Sequence, residues 1–226
     1  MFSESPSRYP EHTGVQAQTG TLTGQVLGLL GFSLLFTAGG AILAPRLGPG
    51  AFWASLIGSF GCLIALWFLK EKSPINLALF YLFSVAEGLL LGLVVESYLA
   101  RGQAGIVVNA AVTTAALVLA LSAYAWTTKR DLTGMGTFLM VALVGVIIAG
   151  LVNVLWLHSG PLALLISAVT AVLFGAYLMY DLQRLKNTPA GTQGDAILFA
   201  VAIYLDIFNI FLAILQIFGF AGGREE

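Results

Sequence analysis

From about Gly24 onward the chain is a succession of apolar runs separated by short polar connections. The runs are Gly24–Leu43, Ala51–Leu69, Ile75–Tyr98, Ile106–Trp126, Phe138–Leu157, Leu162–Leu185 and Asp195–Phe220. About 20 residues rising 1.5 Å each cross roughly 30 Å of hydrocarbon. Lipid offers no partners to backbone N–H and C=O groups, so runs of this length must be helices. The pattern therefore predicts an all-α membrane protein, with seven transmembrane helices in one bundle over 24–220. Residues 1–23 read as a polar, flexible N-terminal tail and 221–226 as a short polar C-terminus. Pro45 is expected to end the first helix near Leu43. The tail has no short apolar core before a small-residue cleavage site, so the first run is expected to stay as an uncleaved anchor.

Composition narrows the class. Charged residues are 9% of the chain and hydrophobic ones 58%, whereas soluble domains carry about 25% charged residues. The lipid bilayer is thus the first expected partner. A net charge of −1 without a basic cluster argues against nucleic acid. Cys62 is the single cysteine and lies in an apolar run, so it reads as a packing residue with no disulfide or thiol metal site. His12 and His158 are isolated and offer no metal site. With seven spans, Arg8, Lys70, Lys72, Lys129, Arg130, Arg184 and Lys186 share one side, against Arg46, Arg101 and Arg224 on the other. That bias predicts a cytoplasmic N-terminus and an outside C-terminus. Gly88 and Gly92 in the third run, and Gly145 and Gly150 in the fifth, are expected to let helix backbones approach closely. Trp53, Trp67, Trp126 and Trp156 fall near run ends, where an aromatic belt meets the headgroups. No internal repeat supports an inverted-repeat transporter.

The candidate chemistry is acidic. Asp181 and Asp206 sit inside the last two runs, and a charge at mid-membrane costs roughly 2.5–3.5 kcal/mol on insertion scales. Such residues face a bundle interior or a hydrated cavity. Asp206 begins a polar stripe continued by Asn209 and Gln216, with small Ala213 between them, which turns that face toward other helices. The short loop Lys186–Gly194 makes the last two helices antiparallel, so the aspartates should approach each other with some offset. Two alternatives stand beside that: an i,i+3 ion pair of Asp181 with Arg184, and a neutral Asp206 hydrogen-bonded to another helix. Glu87, deeper than interfacial Glu96, has no basic neighbour in sequence and reads as neutral or facing a hydrated interior.

Tyr180-Asp181-Leu182-Gln183 closing one helix, Leu205-Asp206-Ile207-Phe208-Asn209-Ile210-Phe211 in the next, and Glu87-Gly88-Leu89 in the third together resemble the Bax inhibitor-1 family, in its bacterial branch. The resemblance covers nearly everything after the tail. It implies two three-helix layers around a central seventh helix, and a pH-sensitive calcium leak governed by a hydrogen-bonded pair, Asp181 and Asp206. Some bacterial relatives carry an arginine at the end of the second helix and an acidic residue three turns earlier. Here Lys70 stands at that end, with Gly58 and Ser59 in the earlier region. Lys70 lacks the bidentate fork of arginine, and the acidic role is left to Glu87.

The leading expectation is a cation leak, with Ca²⁺ as permeant ion rather than cofactor and protons as the signal, in a bacterial plasma (inner) membrane. Asp181 and Asp206 form the gate and weak, transient Ca²⁺ ligands, with Glu87, Asn209, Arg184 and Lys70 as possible partners along the path. The alternative is a non-conducting regulator that binds another membrane protein, a protease or a cell-death factor. No enzymatic activity is expected. Intramembrane aspartyl proteases place a glycine-containing motif before their second aspartate, and Tyr204-Leu205-Asp206 has no such glycine. The seventh run also has no lysine to hold retinal.

Overall fold

The computed structural model describes residues 13–48, 50–188 and 190–222. Arg8, His12, Arg224 and the outer parts of both polar termini lie outside these. Seven α-helices are present among the described residues: α1 Thr13–Leu47, α2 Gly50–Leu69, α3 Ile75–Leu99, α4 Ala104–Thr127, α5 Gly136–Val152, α6 Gly160–Asn187 and α7 Gln193–Gly222. Each contains or lies within a segment long and apolar enough to cross a membrane, with no strand among the described residues. The protein is an integral, multi-pass membrane protein.

Both ends of the first helix differ from expectation. The α1 helix already begins at Thr13, inside the segment read as tail, although its apolar span starts only at Leu22. It also runs through Pro45 to Leu47. Proline in the last turn removes only one intrahelical hydrogen bond. The stop comes instead at Gly48, whose φ of 57° is the left-handed conformation that suits glycine past a helix end.

The helices pack in a definite order. Helix α3 lies against α1 and α2, whereas α6 lies against α4 and α5. Helix α7 touches α6, α4, α1 and α3. It is the most enclosed, with Ile203, Tyr204, Asp206, Ile210 and Leu215 all at most 3% exposed. By contrast only Leu139 of α5 is buried. Outward faces carry Phe32, Leu35, Ile57, Phe68, Phe138 and Val172, an apolar surface far larger than a water-soluble protein shows. Lipid is the solvent that accepts it.

Close approach of α1 and α3 depends on glycine. A Cβ on Gly88 would collide with the Thr37 carbonyl, one on Gly40 with the Val85 carbonyl, and one on Gly92 with the Ala41 carbonyl and Ala44. The expected role of Gly88 and Gly92 is therefore met. Gly145 and Gly150 are different: nothing lies within 4 Å of a Cβ at either. Helix α5 sits at the periphery and makes no comparable backbone contact there, so these two glycines are not packing notches.

Candidate functional site: a buried aspartate pair

Helices α6 and α7 run antiparallel through the 188–192 connection. Asp181 lies six residues before Asn187, the end of α6, and Asp206 thirteen after Gln193, the start of α7. Equal depth requires the first turns of α7 to project past the end of α6, and they do. A Cβ on Gly194 would meet the Lys70 carbonyl and the Glu71 carboxylate of the α2–α3 turn. The Arg184 guanidinium lies over the Phe199 ring at 5.5 Å, which fixes the same register. This offset was the unresolved part of the sequence argument.

With that register the Asp181 and Asp206 side chains come within hydrogen-bonding contact. They are 6% and 3% exposed. Tyr177, one turn before Asp181, lies within the electrostatic field of both. No N–H or hydroxyl donor among the described residues reaches Asp206 Oδ2, which is fully buried. Its neighbour is another carboxyl, which can donate only when it carries a proton.

Of the other sequence candidates, only Arg184 stays within electrostatic reach of the pair. It makes no close ion pair with Asp181 among the described residues; its guanidinium lies over Phe199, and its charge acts on Asp181 from there. Lys70 pairs instead with Glu71 at 3.7 Å and Asp195 at 3.6 Å. It staples the α2–α3 turn to the start of α7. Asn209 turns its amide back onto the Leu205 carbonyl at 2.8 Å. Gln216 meets Ser167 of α6 farther along the seam. Glu87 is buried on α3 and hydrogen-bonds to Ser59 of α2. That places it in a separate polar cluster, near the pair formed by Tyr204 and Thr37, whose hydroxyls are 2.8 Å apart. Tyr204 and Asp206 are two positions apart, about 200° round the helix. Helix α7 thus presents one polar group toward α1 and α3 and another toward α6. No group of three or more His, Cys, Asp or Glu side chains is placed to hold a metal among the described residues.

Sequence reasoning missed Gln183. It is 5% exposed, accepts from the Leu132 backbone N–H, and donates to the Arg130 carbonyl at 2.8 Å. One turn on, Lys186 Nζ donates to the Trp126 carbonyl at 2.7 Å. The α4–α5 connection is therefore tied to the end of α6, on the face opposite Asp181. The only signal was a glutamine two positions after a buried aspartate. Replacing Gln183 by Leu leaves two backbone groups without partners, a loss of about 1–3 kcal/mol. The expected result is faster trypsin cleavage at Lys129 and Arg130 in the purified protein. Cleavage at the wild-type rate would show that the bonds do not hold the connection.

Known proteins resemble this chain along most of its length. Residues 21–223 match the family model described as "Inhibitor of apoptosis-promoting Bax1". An uncharacterized Campylobacter jejuni protein is 38% identical over 167 residues, covering 74% of this chain and 71% of its own. A Helicobacter pylori protein is 33% identical over 173 residues, covering 76% and 74%. The inner membrane protein YbhL of Escherichia coli is 38% identical over 160 residues, covering 66% and 65%. Seven apolar helices, a match over nearly the whole bundle and these bacterial relatives, one of them an inner membrane protein, show that the chain belongs to the Bax inhibitor-1 family.

Proposed function

We propose that the protein is a pH-sensitive cation leak, with Ca²⁺ as the permeant ion, gated by the Asp181–Asp206 pair. The observation that supports this reading is the contact of two enclosed carboxyls between α6 and α7. Two carboxyls so close share one proton, and the titration belongs to the pair. Losing that proton replaces a hydrogen bond by like-charge repulsion, which drives α6 from α7 and opens the seam. Ca²⁺ takes 6–8 oxygen ligands. Two carboxylates supply too few for tight capture, which suits transient occupancy. The distribution of basic residues supports a cytoplasmic N-terminus, and the relative YbhL supports a bacterial inner membrane. No catalysis enters this reading.

A second reading is a non-conducting regulator of a membrane-bound partner, and the description of the matching family, inhibition of a cell-death protein, favours it. Purified protein in liposomes loaded with a Ca²⁺ indicator separates the two. A leak gives Ca²⁺ influx that changes with pH. A regulator gives none above protein-free vesicles, which would sink the channel reading.

A further inference from the structure

At the end of the bundle opposite the α5–α6 turn, the fold gathers three basic side chains from separate stretches of sequence. Lys129 and Arg130 lie in the α4–α5 connection, and Lys186 lies in the last turn of α6. Gln183 holds that connection against α6 through the Arg130 and Leu132 backbone groups, and Lys186 holds the end of α4 there through the Trp126 carbonyl. None of the three bases makes an ion pair among the described residues. Lys186 spends one N–H on Trp126 and keeps two, while the Lys129 ammonium and Arg130 guanidinium keep all of theirs.

The one acid in the connection is already engaged. Asp131 Oδ1 accepts from the Thr133 hydroxyl at 2.6 Å and the Thr133 N–H at 2.9 Å. Those bonds hold its carboxyl below the usual range, so it stays charged and offsets one of the three positive charges without pairing with any of the bases. The ends of α4 and α6 also carry roughly half a negative charge each, but three full positive charges outweigh them. Arg184 stands apart over Phe199 and adds to the same sign.

Position says what the counter-ion is. The corner lies where the α4 span ends at Thr127 and the α6 span at Asn187. Trp126 marks this as headgroup level, where phosphates of anionic lipids sit. We propose that Lys129, Arg130 and Lys186 form a binding site for the phosphate of an anionic phospholipid. The site backs onto the α6 turn that carries Asp181, and it stands whether or not the protein conducts ions.

Native mass spectrometry of the full-length protein in detergent, with phosphatidylglycerol or phosphatidylcholine added, tests it. Wild type should retain phosphatidylglycerol preferentially. Each basic residue contributes about fivefold near an anionic surface, so Lys129→Gln/Arg130→Gln should lower retention at least about tenfold. Neither side chain packs into the fold, so this variant should stay folded. Lys129→Arg/Arg130→Lys should retain the lipid as wild type does. Equal retention by the glutamine variant, or equal retention of phosphatidylcholine by wild type, would overturn the site. Displacement by inorganic phosphate would assign the corner to a free anion and overturn the lipid assignment as well.

Discussion

Asp206→Asn is expected to flatten the pH dependence of Ca²⁺ flux in reconstituted vesicles. Asparagine keeps the shape and hydrogen bonding of a protonated carboxyl but cannot ionise. Like charges about 4 Å apart at an effective dielectric near 20 repel by about 4 kcal/mol, a factor of several hundred in an equilibrium at roughly 1.36 kcal/mol per decade. Removing one of them should collapse the response to within about twofold across the pH range by the same arithmetic. Asp181→Asn should do the same, because either substitution abolishes the repulsion. The double variant should then behave like each single one, the non-additivity expected of groups acting as a unit. A normal pH response in either single variant would remove the pair from the gate. Strictly additive effects would mean that the two carboxyls act separately.

The second large effect is structural. Gly88→Val places a branched side chain where even a Cβ collides with the Thr37 carbonyl. Backbone on both sides leaves no flexible side chain to yield, so α1 must move from α3. Overpacking costs about 1–3 kcal/mol in ordinary cores; here the top of that range is expected, because two backbones oppose each other. Thr37 also holds Tyr204 of α7 at 2.8 Å, so the displacement reaches the central helix. Gly145→Val is the control: nothing lies within 4 Å of its Cβ, and the change should stay within about 0.5 kcal/mol. Unfolding of both variants in denaturing detergent checks the contrast. If Gly88→Val unfolds alongside Gly145→Val, the α1–α3 contact is looser than the structure has it.

Sequence and structure agree best where one physical rule acts alone. Seven spans were legible because hydrocarbon thickness fixes length and the absence of water fixes helicity. Gly88 and Gly92 were legible as a spacing, but Gly145 and Gly150 carry the same composition without the role. Whether a small residue serves packing depends on what faces it. Pro45 misled because proline stops a helix only when nothing else pays for the missing bond, and at a last turn little is missing.

The two aspartates divide the credit in the same way. Their presence inside apolar runs was enough, on energetic grounds, to make them the candidate site, since charges at that depth need a reason. Which partners they take was not. Arg184 and Asn209 were within reach by helix spacing, and Lys70 and Glu87 by the family resemblance. Lys70 is engaged with Glu71 and Asp195, Asn209 with its own helix and Glu87 with Ser59, while Arg184 lies over Phe199 and acts on Asp181 only through its charge. The sequence by itself determined a seven-span membrane bundle with two acidic groups in its last two helices, because solvation energy is a property of each segment alone. Only the tertiary structure decided that Asp181 and Asp206 meet, that Gln183 ties a distant connection to the same helix, and that three bases share one corner. Those outcomes depend on helix register and azimuth, set jointly by all the packed faces and carried by no single stretch of chain.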